Sequence, residues 1–87
     1  MKEIRLTKNQ TAIVDDEDFE RISQRPWYFR AGYAMRSIRK PVAQGGTIDH
    51  VRMHREILGV GPKTNVIHID GNGLNNRRSN LRIAGQR

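Results

Sequence analysis

The chain contains no cysteine, and in a protein of 87 residues that absence limits the possible folds more than any other feature. A domain of this size buries only about 60% of the surface its unfolded chain exposes. Disulfides and zinc thiolates, which often supplement so small a core, are excluded, and so is a thiol nucleophile. The core must come from the hydrophobic residues alone, which are 36% of the chain, packed as one domain over 1–87. No apolar run approaches the roughly 18 residues that span a bilayer. The N-terminal stretch MKEIRLTKNQ lacks the apolar segment of a secretory signal. The sequence therefore predicts a soluble cytoplasmic protein without membrane contact.

Charge is the second constraint. Sixteen Lys and Arg against nine Asp and Glu leave a net charge of +7, which favours a polyanionic partner, above all nucleic acid. The excess is not uniform. Residues 1–24 carry a net −2, residues 25–62 a net +5 and residues 63–87 a net +4. Arg outnumbers Lys in the basic two-thirds, and its planar fork suits bidentate phosphate contact. Arg36, Arg39, Lys40, Arg77, Arg78 and Arg82 are the candidate nucleic-acid contacts.

Local patterns predict an α+β fold. Glu3–Leu6 and Thr11–Val14, separated by Thr7-Lys8-Asn9-Gln10, read as a β-hairpin. Asp15-Asp16-Glu17-Asp18 supplies an N-cap and an acidic first turn for a short helix near 16–23, a role that suits the run better than metal binding. Pro26 ends that helix. Trp27–Arg30, Tyr33–Arg39 and Thr47–Met53 are rich in aromatic and β-branched residues and read as strands, with Ala31-Gly32 as a turn. Trp27, Phe29, Tyr33 and Met35 are expected in the core. Met53–Leu58 reads as a short helix ended by Gly59. His50 and His54 are four apart, but one falls in a strand and the other at a helix start, so they do not make a zinc pair. His54 reads as packing or capping.

The most informative segment is 64–84. Val66–Ile69 reads as a strand, Asp70-Gly71-Asn72-Gly73 as turn chemistry, and Leu81–Ala84 as a second extended run. The loop between them is long and polar, and such loops are usually functional or disordered. Flanking strands favour order. A His at the strand end can take a proton from water, and an Asn across the loop can fix the ring or hold the loop closed. His68 and Asn80 are that candidate catalytic pair.

Residues 66–82, VIHIDGNGLNNRRSNLR, resemble the core of the HNH endonucleases, in particular their small phage- and intron-encoded members. Upstream, AIVDDEDFE, PWYFR, GYAMRS and MHREILG are similar to the N-terminal portion of phage HNH proteins, so the likeness spans about residues 4–84. The resemblance implies a ββα-metal (His-Me finger) unit: two antiparallel strands joined by a loop, then a helix, with one divalent ion, Mg²⁺, against the scissile phosphate. It divides the single domain into N-terminal strands and short helices over 1–62 and a partial HNH motif over 63–87. It implies that His68 is the general base, that Asn80 braces the loop and orients the His, and that Asp70, Gly71, Leu74, Asn75 and Asn76 shape the loop. Arg77, Arg78 and Arg82 would meet DNA phosphates.

The chain departs from the pattern twice. Ile67 occupies the place of a metal-ligating residue and cannot coordinate. The final His or Asn of the motif would fall beyond Arg87, so the unit is expected to lack all or most of its last helix, and Gly85 disfavours a helix there. Asp70, two residues from His68, is the possible stand-in ligand. The resemblance therefore implies a metal-dependent DNA endonuclease. The alternative is a catalytically inactive HNH-derived protein that binds DNA or inhibits a host protein. A net charge of +7 argues against a DNA-mimicking inhibitor.

Overall fold

The computed structural model describes residues 1–39, 41–61 and 63–84. Lys40 and the 85–87 segment, on which a phosphate contact and the absence of a final helix were expected, lie outside the described residues. The fold is α+β, with antiparallel strand pairs and two short α-helices.

Strands β1 (Lys2–Arg5) and β2 (Thr11–Val14) form the first hairpin. Lys8 and Asn9 both take positive φ at its tip. Helix α1 (Asp16–Ser23) follows, with its first turn acidic. Asp15 does not cap that helix with its side chain, as the sequence suggested. Its carbonyl accepts from the Asp18 and Phe19 amides, while its carboxylate accepts from the Arg78 amide at 2.9 Å. The acidic run is spent on a tertiary contact as well as on a helix start.

Strands β3 (Tyr28–Arg30), β4 (Tyr33–Arg39) and β5 (Ile48–Arg52) form one antiparallel sheet in that order. Ala31 and Gly32 join β3 to β4 with φ of 52° and 87°, the left-handed pair that matches hairpin twist. The register places Phe29, Ala34 and Val51 on one face and Tyr28, Tyr33, Met35 and Arg52 on the other. The aromatic expectation is corrected here. Trp27 and Ala34 are buried, whereas Phe29 is half-buried on the Ala34 face and Tyr33 and Met35 are half-buried on the opposite face. A spacing of two within a strand fixes a common face but does not say which face the core takes.

Helix α2 (Met53–Leu58) continues directly from β5 and ends at Gly59 with φ 68°, the left-handed conformation that glycine favours there. Arg55 ties this helix to the following turn by donating to the carbonyls of Gly61 and Thr64. Strands β6 (Val66–His68) and β7 (Leu81–Ile83) pair antiparallel across the polar loop. A short 3-10 turn, Arg78–Asn80, leads into β7.

One core serves both halves of the chain. Ile4, Ala12, Val14, Ile22, Trp27, Ala34, Met53, Ile57 and Leu81 form a single buried cluster. The polar loop is also sewn to the first hairpin: the Ile13 amide donates to the Leu74 carbonyl at 2.8 Å, and the Asn76 amide donates to the Ile13 carbonyl at 2.7 Å. Among the described residues no helix is long and apolar enough to cross a membrane.

A long-range ion pair joins Arg78 to Asp18. The guanidinium donates from Nε and from a terminal nitrogen to both Asp18 oxygens at 3.0 Å, and to the Ile57 carbonyl at 3.1 Å. The Asp18 carboxylate is only 4% exposed, and this pairing with Arg78, aided by Arg21, holds its pKa below the ordinary value. Removing Arg78 leaves a nearly buried carboxylate with Arg21 alone. Arg78→Ala is expected to cost about 2 kcal/mol, less than a fully buried pair because the Arg side is half-exposed. A lower urea midpoint at unchanged m-value checks this; an unchanged midpoint contradicts it.

Candidate functional site around His68

The loop that follows β6 has to satisfy its own backbone, because it runs between two strands of three residues each. Asparagine and aspartate side chains do this work. Asn80 is buried and faces Asp70: its Oδ1 accepts from the Asp70 amide at 3.0 Å, and its Nδ2 donates to Asp70 Oδ1 and to the Asn75 carbonyl, both at 2.9 Å. The Asn72 amide donates to Asp70 Oδ1, and Asn75 Nδ2 donates to Asp70 Oδ2, each at 2.8 Å. The Ile69 amide donates to the Asn80 carbonyl at 2.8 Å, which extends the ladder past His68.

Asp70 is therefore the hub of the loop. Hydrogen bonds from the Asn75 side chain, the Asn72 amide and the Asn80 side chain pull its pKa down to about 2. Both of its oxygens already accept N–H bonds. The loop glycines play two different parts. Gly71 supplies a positive φ of 78°, whereas Gly73 permits a close approach: a Cβ there would lie 2.3 Å from the Gly32 carbonyl oxygen and 2.9 Å from the Tyr33 ring. The loop is thus pressed onto the β3–β4 turn.

His68 ends β6 with its ring on the inner side, opposite the buried Leu81. Its Nε2 lies 2.8 Å from Asn76 Oδ1. An amide oxygen can only accept, so Nε2 carries the proton and Nδ1 keeps the lone pair in the neutral ring. Asn76 is fully buried and its backbone is fixed by β2, so the ring is oriented by the first hairpin through one side chain. The sequence suggested Asn80 for this task. Asn80 braces the loop through Asp70 and Asn75, and the residue bonded to the His68 ring is Asn76.

Two further rings complete the site, and sequence reasoning did not bring them there. His54, in the first turn of α2, meets the His68 ring edge-on at 4.7 Å between centroids. Tyr33 lies 5.6 Å from His54 and 5.8 Å from His68. The Arg52 guanidinium sits 5.3 Å from the Tyr33 ring centre. Burial pushes the His54 pKa down to about 4, with the charges of His68, Arg55 and Arg52 acting in the same direction. Its Nδ1 and the Asn76 Nδ2 are buried without hydrogen-bond partners. His54 is buried, in keeping with its reading as a packing residue, and His50 does not join it but bonds the Tyr28 hydroxyl at 2.8 Å.

The residues beside His68 do not fit a hard divalent ion, which needs free oxygen donors. Asp70 has its oxygens engaged within the loop, and Ile67 pairs opposite Arg82 on the outward face of the β6–β7 ribbon. Elsewhere, Asp15, Glu17 and Asp18 bring carboxylate oxygens within 4.8 Å of one another, a group that can hold a metal. In this structure the Arg78 and Arg21 guanidinium groups both pair with Asp18, the Arg78 guanidinium lies 3.9 Å from Glu17, and the Arg78 amide donates to Asp15.

The candidate arginines separate into two kinds. Arg78 is bound to Asp18, and Arg36 pairs with Glu56 at 2.7 Å with both side chains about four-fifths covered, so these two guanidinium groups are structural. Arg77 donates to Asn75 Oδ1 at 3.1 Å, half-buried at the loop. Arg39 and Arg82 are exposed. No protein-family model, no curated protein and no solved structure matches this chain.

Two expectations follow from this geometry. Asn80→Ala removes three hydrogen bonds and leaves the Asn75 carbonyl unpaired, a loss of about 2–4 kcal/mol. The Asp70 amide should then exchange its hydrogen faster; unchanged protection there would contradict the bracing role. His54 titrates near 6.5 when unfolded and at about 4 when folded, so the unfolded chain binds more protons between those values. Stability is then complete above pH 6.5 and falls as the pH drops towards 4. His54→Leu should flatten that part of the curve in thermal melts, leaving the loss at lower pH from Asp70; an unaltered curve would contradict the assignment.

Proposed function

We propose that this protein is a DNA endonuclease of the HNH kind, with His68 as the general base that takes a proton from the water attacking a phosphodiester phosphorus. The observation that carries the reading is the His68 Nε2 to Asn76 Oδ1 hydrogen bond of 2.8 Å. It assigns the basic lone pair to Nδ1 and holds the ring on a closed, hydrogen-bonded loop. As the proton arrives, the Asn76 amide dipole stabilises the imidazolium. A positioned general base contributes about 10²- to 10⁴-fold to such a step. The resemblance of residues 66–82 to the HNH core and the net charge of +7 support a DNA substrate. The resemblance implies Mg²⁺, although the described residues beside His68 do not by themselves make a site for it.

A second reading is favoured by one observation. Three loop donors engage both oxygens of Asp70, leaving one acceptor site on Oδ2, and Ile67 faces outward, so the carboxylate two residues from His68 is already bonded within the loop. On that reading the protein keeps the nuclease-like site and binds DNA without cutting it.

A plasmid nicking assay with Mg²⁺, with Mn²⁺ and with EDTA separates the two. The nuclease reading predicts nicking with a divalent ion, none with EDTA, and a loss of at least about 100-fold in His68→Ala. Absence of nicking with either ion, while DNA is still bound, selects the second reading.

A further inference from the structure

The three-stranded sheet has one face that the core does not use. Ala34 and the Arg36–Glu56 pair belong to the face turned towards α2. The register puts Tyr28, Arg30, Tyr33, Met35, Ser37, Arg39, Ile48, His50 and Arg52 on the other, where none of these residues is fully buried. Arg30, Arg39 and Arg52 are all exposed, and none of the three is held in an ion pair with another described residue. Among the described residues no Asp or Glu shares the face: Asp49 pairs with Ile38 on the opposite side. This is a strip of one sign of charge. Along β4 it runs about 20 Å from Arg39 to Tyr33, at the usual rise per strand residue. It ends at the Tyr33–His54–His68 cluster, so the sheet face and the site are continuous.

We propose that this face docks the phosphate backbone of double-stranded DNA, with Arg30, Arg39 and Arg52 meeting phosphates and the strip guiding the strand towards His68. The surface complements a polyanion by charge, and its length matches about six base-pair rises of a duplex. Its aromatic groups argue against a single strand. Binding of single strands uses exposed aromatic faces on which bases stack. Here the Tyr28 hydroxyl is bonded to His50, and Tyr33 is half-buried with Arg52 over its ring and two imidazoles beside it. The face offers cations rather than stacking platforms. It also differs from the set of arginines that the sequence suggested: Arg30 and Arg52 join Arg39, while Arg36 and Arg78 are engaged in ion pairs.

The inference rests on the DNA-directed reading of the His68 site, and the experiment keeps the two apart. Fluorescence anisotropy of a labelled random-sequence duplex is measured against salt for the wild type, Arg30→Gln/Arg39→Gln and Arg5→Gln/Arg25→Gln. The control pair has the same change in charge and is also exposed, but it lines a hollow beside Phe19 and Trp27. The wild type should give a log–log salt slope of about −4 to −5. The sheet-face pair should make the slope shallower by about 2 and weaken binding by about tenfold or more, and the control pair should leave the slope as it was. Circular dichroism melts superposing on the wild type keep a folding defect from passing as a binding effect. Equal losses in the two pairs, tighter binding of a single strand or RNA of the same length, or a flat wild-type slope overturns the proposal. Face-dependent duplex binding without nicking defeats the nuclease reading and leaves this one standing. Nicking with binding that ignores Arg30 and Arg39 does the reverse.

Discussion

The structure depends on the side chain of Asn80. A polar loop between two three-residue strands has no ladder of its own, and its backbone groups must find partners or remain exposed to water. Asn80 donates to and accepts from Asp70, and it donates to the Asn75 carbonyl, which converts the loop into a closed ring of hydrogen bonds. An amide suits this position because it is donor and acceptor at once and carries no charge. Aspartate there would accept but not donate, and it would face the Asp70 carboxylate.

What the closed loop achieves is the position of Asn76. That residue is held from two directions: by the loop on one side, and on the other by β2, whose Ile13 carbonyl accepts its amide proton. Only then can its side chain orient His68. The site is therefore assembled by parts of the chain that are far apart in sequence. The Arg78–Asp18 tie adds a second connection between the same two regions, across 60 positions. Removing the first hairpin would dissolve the site as surely as removing the loop.

The elements themselves were legible in the sequence. The acidic first turn and the proline at 26 mark the bounds of α1, and Gly59 marks the end of α2, because helix-dipole charge preference, the missing proline amide and left-handed φ are local physics. The hairpin turn at Ala31-Gly32 and the strand before His68 were legible for the same reason. The site was legible only in part. His68 stood out by its place at a strand end before an Asn-rich loop, but which Asn bonds the ring depends on the direction in which each side chain points. Asn75 and Asn76 are adjacent in sequence and have opposite tasks: one latches Asp70 and the other holds His68. Nor could the sequence say that Arg78 serves a buried carboxylate while Arg39 stands free on the sheet, since charge count is blind to tertiary pairing. The approach of Tyr33 and His54 to His68 arises from sheet register and from the glycine at 73, which lets the loop reach the β3–β4 turn.

The central claim is that His68 is held with its proton on Nε2 and its lone pair on Nδ1. Long-range nitrogen–proton correlation spectra of the ¹⁵N-labelled protein, recorded near neutral pH, report the tautomer of each histidine ring directly. The account predicts the Nε2–H form for His68 in the wild type and a mixture of tautomers in Asn76→Ala. An Nδ1–H ring in the wild type would contradict it.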